Sequence, residues 1–253
     1  MSILPADTIE QLQSLGPVWQ STDGRIVLCN CDCLEGLKVL PEGCVDAVVT
    51  DPVYGISNHE FRSTLPSTKG RVDDRPLQGD ESLAVVDGIM RWLPPQMPAV
   101  IWGANNFPHL LPHKGRWLCW DKRITEAADR MLGSAFELAW SNRHGGFGRM
   151  IRCLHGGVVN ADKGRRCHPT QKPVAVMRQC VEYTRGTRVI DMCIGSGTTA
   201  IACIRTDRSC IGMEIDKDYW AVAVSRCERE YARTALLDGV GSVETRKQGD
   251  LFE

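Results

Sequence analysis

Apolar positions along this chain come in short, nearly unbroken runs rather than in strict alternation. RIVLCNCD (25–32), CVDAVVT (44–50), PAVIWG (98–103), RWLCWDK (116–122), FELAWSNR (136–143), RVIDMCIGSG (188–197) and SCIGMEID (209–216) are each dense in apolar residues and bounded by polar or turn residues. Such runs suit strands covered on both faces, the pattern of a parallel sheet. Segments with helical spacing lie between them: CLEGLKVL, SLAVVDGIMRWL, KPVAVMRQCVEYT entered through Pro173, TTAIACIRT and the long amphipathic DYWAVAVSRCEREYAR. Proline tolerates the first helical position because its missing N–H would have no partner there. Strands alternating with helices predict an α/β fold with a doubly wound, mostly parallel sheet, here of seven strands.

Two stretches fall outside this rhythm. ISNHEFRSTLPSTKGRVDDRPLQGD (56–80) is aperiodic and broken by Pro and Gly, too long for an idle connection, so a functional or mobile loop is expected. TALLDGVGSVETRKQGDLFE (234–253) reads as a flexible tail. Residues 1–233 are then one domain, which 253 residues can support with a sizeable core.

Hydrophobic content of 43% and charged content of 24% are those of a soluble globular protein. No run approaches the roughly 20 apolar residues of a membrane helix, and MSILPADTIEQLQ lacks a secretory signal, so a cytoplasmic protein without membrane contact is expected. The twelve cysteines include no C-x-x-C pair, and Cys29, Cys31 and Cys33 would share one face of a strand. Buried reduced thiols are the favoured reading. His109 and His113 have ligand spacing, but Pro108 and Pro112 spoil a helix there, and no metal site is expected. Net charge is −1, yet residues 142–172 carry Arg143, Arg149, Arg152, Lys163, Arg165, Arg166 and Lys172 against Asp162 alone. A solvated basic face and a phosphate-contacting surface both fit that patch.

Candidate chemistry sits where two strands end. CVDAVVT runs into DPVYG (51–55), which is either an ordinary turn or a grip for a flat, amine-bearing base. RVID runs into a loop with glycines at 195 and 197 and then a helix, where backbone N–H groups can face a ligand. Ala200 replaces the third glycine of the dinucleotide fingerprint, but Glu214 closes the next strand, the usual place for an acid that holds ribose hydroxyls. A nucleoside cofactor and a plain turn remain the two readings of this loop.

DPVYG, HPTQKP (168–173) and DMCIGSGTT (191–199), in that order, resemble the β-class amino DNA methyltransferases, which methylate adenine N6 or cytosine N4 with S-adenosylmethionine. The resemblance covers roughly residues 25–230, and Val53 stands where the family more often has a second proline. It implies a class I, Rossmann-like methyltransferase fold whose motif order is circularly permuted. It also implies Asp51, Pro52 and Tyr54 as catalytic residues, with Asp51 bordering the cofactor too. Asp191, Cys193, Gly195, Ser196, Gly197, Thr198 and Thr199 would wrap the methionine part, Glu214 the ribose and Asp32 the adenine. Thr170, Lys172 and Pro173 would border the methionine end.

The chemistry agrees with that assignment. An exocyclic amine is a poor nucleophile because its lone pair is delocalised into the ring. The Asp51 carboxylate and Pro52 carbonyl can accept hydrogen bonds from its two N–H groups, and Tyr54 can stack an extruded base. Asp51, rather than the serine that many cytosine-N4 members carry, favours adenine N6. Double-stranded DNA is the expected partner, contacted through 56–80 and 141–167. A homodimer is a candidate by analogy. Gln248–Phe252 (QGDLF) resembles a peptide that docks on the bacterial sliding clamp, though a frayed terminus explains it as well. The competing classes are an RNA or protein-glutamine methyltransferase and a non-catalytic DNA-binding relative.

Overall fold

The computed structural model describes residues 2–55, 78, 82–123, 134–143, 148–153, 155–156, 159–160 and 171–249, with backbone alone for 155–156, 159–160 and 237–249. The chain opens with α1 (Ala6–Leu15), β1 (Val18–Gln20), β2 (Ile26–Asn30), α2 (Cys33–Val39) and β3 (Ala47–Thr50). Then come α3 (Ala84–Trp92), β4 (Ala99–Trp102), β5 (Arg116–Asp121), β6 (Phe136–Ser141) and β7 (Arg149–Arg152). A two-residue pair, β8 (His155–Gly156) with β9 (Val159–Asn160), precedes α4 (Val174–Thr184). β10 (Arg188–Asp191), α5 (Thr198–Arg205), β11 (Ser209–Glu214) and α6 (Lys217–Gly249) complete the described chain.

Among the described residues the main sheet has nine strands, ordered β1-β2-β11-β10-β3-β4-β6-β5-β7. The five central strands, β2, β11, β10, β3 and β4, run parallel. β1 joins one edge antiparallel, while β6 pairs antiparallel with β4 and β5, and β7 lies parallel to β5. The sequence pattern gives seven strands. The two extra ones, VWQ and RMIR, are short edge strands held by backbone pairing on one side, so neither needs a dense apolar run.

The unbroken runs are explained by burial on both faces. Ile26 and Leu28 point into a cluster with α4, α5 and α6, whereas Val27 and Cys29 point into one with α1, α2 and α3. Fully burying each such aliphatic side chain contributes about 1.5–3 kcal/mol. β2 stops at Asn30 because Asp32 caps α2, so Cys33 starts a helix and the three cysteines do not share a strand face. PHLLPH forms a 3₁₀ turn over Pro108–Leu110. α6 continues to Gly249, through much of the segment read as a tail, and the last four residues lie outside the described chain. No helix among the described residues is long and apolar enough to cross a membrane.

The direction in which successive strands are added across the sheet reverses between β10 and β3, which themselves run parallel. After β10 the chain moves outward to β11, and after β3 it moves the opposite way to β4. Loops leaving neighbouring strands on opposite sides open a crevice at their carboxyl ends, where ligands of doubly wound sheets bind.

Candidate active site

The crevice is a cleft of about 170 Å³ walled by residues 31–33, 51–54, 191–196 and 214–216, which follow β2, β3, β10 and β11, with Lys172 beside them. The two sequence motifs therefore share one cavity. Thr50 and Asp191 join them directly: Thr50 Oγ1 donates to Asp191 Oδ1 at 2.8 Å, and Thr199 Oγ1 donates to Oδ2 at 2.5 Å. The Cys193 N–H adds a third donor to Oδ1, at 3.1 Å. Burial pushes the Asp191 carboxyl up to about 6, against those three hydrogen bonds. Asp191 and Thr199 thus order the loop from within.

Glycine is required in this loop. Gly195 and Gly197 have φ of 52° and 82°, in the left-handed region that side chains resist. A β-carbon on Gly197 would also stand 3.0 Å from the Cα and Cβ of Ala223 on α6. The Gly195 N–H donates to Glu214 Oε2 and the Asp216 N–H to Oε1, each at 2.9 Å. Burial pushes the Glu214 carboxyl up to about 7. From α6, Arg226 Nη1 donates to the Ser196 carbonyl at 2.5 Å and to its hydroxyl at 2.7 Å, and it reaches Thr198 Oγ1 at 3.4 Å. Arg226 was not foreseeable from the motif, since only the fold brings α6 to the loop.

Across the cleft, the chain leaves β3 without ladder pairing. Asp51 Oδ2 accepts from Lys172 Nζ at 2.6 Å, while Oδ1 is buried with no hydrogen-bond partner among the described residues. Burial pushes the Asp51 carboxyl up, against the pull of Lys172. Lys172 is itself buried, 3.0 Å from Glu137 Oε2 and 5.1 Å over the Trp102 ring. Glu137 also takes Lys122. A buried cation demands such partners, and they hold its proton firmly although burial opposes the charge. Burial would raise the Glu137 carboxyl, but Lys172 and Lys122 hold it down to about 2. Glu137 and Lys122 carry no sequence signal of a site.

Tyr54 completes this wall. Its ring lies against the backbone of Gly103, whose φ is 70°, and tilts at 43° to Phe107 with centroids 6.4 Å apart. A β-carbon at Gly103 would fall 2.3 Å from Tyr54 Cε1, so glycine there makes room for the ring.

Other expected residues play different parts. The Asp32 carboxylate accepts from the N–H groups of Leu34 and Glu35, so the helix cap alone accounts for it, although it also borders the cleft. Pro173 is the N-cap of α4 and is not among the cleft-lining residues. Lys172, expected at the methionine end of the cofactor, borders the cleft and donates to Asp51. Arg143 donates to the Tyr183 carbonyl near the end of α4 and lies 5.1 Å over the Tyr183 ring. Arg149 lies 5.4 Å over the same ring, and both Arg149 and Arg152 are exposed. Thr170, Lys163, Arg165 and Arg166 fall outside the described residues.

A doubly wound sheet with a glycine turn facing an acid on the adjacent strand defines a Rossmann-like, nucleoside-binding class. The family model described as DNA methylase, of the N6/N4 methyltransferases, matches residues 104–225. That match takes in just under half of the chain. It is 34% identical over 91 residues to the type II methyltransferase M.HpaI of Haemophilus parainfluenzae, a stretch covering 35% of this chain and 27% of that protein. It is 33% identical over 76 residues to M.ScaI of Streptomyces caespitosus, covering 29% and 25%. The matched stretches thus span about a quarter of those relatives. Among solved structures, an M1.HpyAVI–SAM complex superposes with TM-score 0.50 at 20% identity, covering 79% of this chain and 99% of that one. The cytosine-N4-specific PvuII DNA methyltransferase superposes with TM-score 0.51 at 14% identity, covering 85% and 93%. These likenesses support the fold.

Proposed function

We propose that the protein transfers a methyl group from S-adenosylmethionine to the exocyclic amine of an extruded base in double-stranded DNA, with adenine N6 favoured over cytosine N4. The observation that carries this reading is Asp51 Oδ1, a buried acceptor without a partner in the cleft that also holds the glycine turn. The residues present suit the cofactor: Glu214 offers a carboxylate for ribose hydroxyls, and residues 193–196 offer a close backbone approach. Bound there, S-adenosylmethionine supplies an electrophilic methyl group. Asp51 Oδ1 and the Pro52 carbonyl accept hydrogen bonds from the two N–H groups of the amine, drawing the nitrogen toward tetrahedral geometry and freeing its lone pair. Tyr54 holds the base by stacking, and the alkylated nitrogen then loses a proton to water. The β3 motif preceding the β10 loop in the chain is the permuted order of the family. Arg149 and Arg152 on the exposed edge strand β7, with Lys163, Arg165 and Arg166, are the proposed phosphate contacts.

Radiolabelled methyl transfer to duplex DNA, with Asp51→Ala as control, tests the reading. Nucleoside analysis should return N6-methyladenine from the wild type and nothing from the variant. N4-methylcytosine would overturn the choice of base, and label confined to RNA or protein would overturn the reading itself.

A further inference from the structure

Four charged side chains alternate in sign behind the cleft. Asp51 holds Lys172, Lys172 reaches Glu137, and Glu137 takes Lys122. They come from the loop after β3, the segment before α4, strand β6 and the residue following β5. Asp51 and Lys172 line the cleft, whereas Glu137 and Lys122 do not. Amine activation calls for one carboxylate, so the second needs a separate reason. Asp51 alone would pair Lys172, and holding a second, half-buried carboxylate against the same ammonium costs part of its hydration.

Geometry supplies the reason. Lys172 stands 2.6 Å from Asp51 Oδ2 and 3.0 Å from Glu137 Oε2. An ammonium tied to two acids on different elements is not free to bridge both oxygens of Asp51, and Oδ1 stays open. Dividing the lysine's charge between two carboxylates also leaves Asp51 a stronger acceptor than a private ion pair would. We infer that Glu137 is a positioning residue for methyl transfer: through Lys172 it fixes the ammonium on Asp51 Oδ2 and keeps Oδ1 open to the amine. The inference rests on the amine-methylation reading.

The charged and titratable groups that face Asp51 are Lys172, Glu137, Lys122 and Asp191, together with Tyr54 of its own loop. Cys180 of α4 sits near Lys172, but burial pushes its thiol up to about 12, so it stays neutral. Glu137 raises the Asp51 carboxyl and Lys122 lowers it. Glu137→Gln should therefore move the Asp51 titration to lower pH, and Lys122→Gln should move it to higher pH. Mere structural damage would not produce shifts of opposite sign.

The test uses the full chain with carboxyl-labelled aspartate, the Asp51 signal being assigned by Asp51→Asn and titrated by NMR. In parallel, kcat on duplex DNA and the Kd for S-adenosylmethionine are measured. Glu137→Gln should lower kcat about tenfold while leaving that Kd within about twofold. An Asp51 signal unmoved in both variants, or moved the same way in both, overturns the inference, as does an unchanged kcat. Should Glu137→Gln fail to fold, the sign of the Lys122→Gln shift decides. A wild type inactive on DNA that still shows the opposed shifts would retire the methylation reading and keep the Glu137–Lys172–Asp51 coupling. Methylation with an unmoved Asp51 signal would retire the role of Glu137 alone.

Discussion

Gly103 shows how one missing side chain shapes a site. The Tyr54 ring occupies the space that a β-carbon would fill, and the left-handed backbone adds to the penalty. Gly103→Ala should push the ring out of place, lowering kcat on DNA by about tenfold or more while S-adenosylmethionine binds within about twofold of wild type. Steady-state kinetics with calorimetry checks this, and an equal loss in both quantities would place the damage elsewhere. Glu214 makes a pH prediction. Burial raises its carboxyl to about 7 and that of Asp191 to about 6, so both bind protons more tightly folded than unfolded. The free protein should then lose stability as pH rises from the unfolded carboxyl range near about 4 through about 7. Glu137, held down to about 2, keeps its full stabilising contribution across the upper part of that window and adds no slope there. Thermal melts of wild type and Glu214→Gln at several pH values should diverge there, with the variant the flatter.

At the scale of elements, the β10 turn depends on α6 as much as on its own residues. Gly197 leaves room for Ala223 of α6 where a β-carbon would crowd it, and Arg226 grips Ser196 from the same helix. Gly197→Ala faces both a φ of 82° and a contact of 3.0 Å with backbone, and should destabilise by about 2 kcal/mol. A lowered urea midpoint with unchanged slope is the expected signature. What could be read from sequence follows the same division. The glycines, Asp191 and Glu214 advertise themselves because local backbone geometry demands them. Helices such as Val174–Thr184, entered after Pro173, also match the pattern. Arg226, Glu137 and Gly103 act on partners distant in the chain, and pattern alone carries no trace of that. Lys172 was visible in its motif, yet its grip on Asp51 appears only once β3 and the segment before α4 are side by side. Helix α1 and edge strands β1 and β7 escaped because short or half-exposed elements dilute the periodic signal.

For the molecule as a whole, a net charge of −1 gives no general attraction to DNA, so the proposed phosphate contacts must be local. If Arg165 and Arg166 each neutralise a phosphate, replacing both by alanine should reduce the slope of log K against log salt by about 2. Binding titrations over a range of salt would show this, and an unchanged slope would remove the pair from the interface. At the centre of the sheet, the Asp191 carboxylate is shared by Thr50, next to Asp51, and by Thr199, at the start of α5. Whatever steadies one side of that carboxylate steadies the other. Reciprocity follows from thermodynamics: if occupancy by the methyl donor tightens the grip on DNA by some factor, DNA must tighten the binding of the donor by the same equilibrium factor, and severing the Thr50 link should bring that factor toward one.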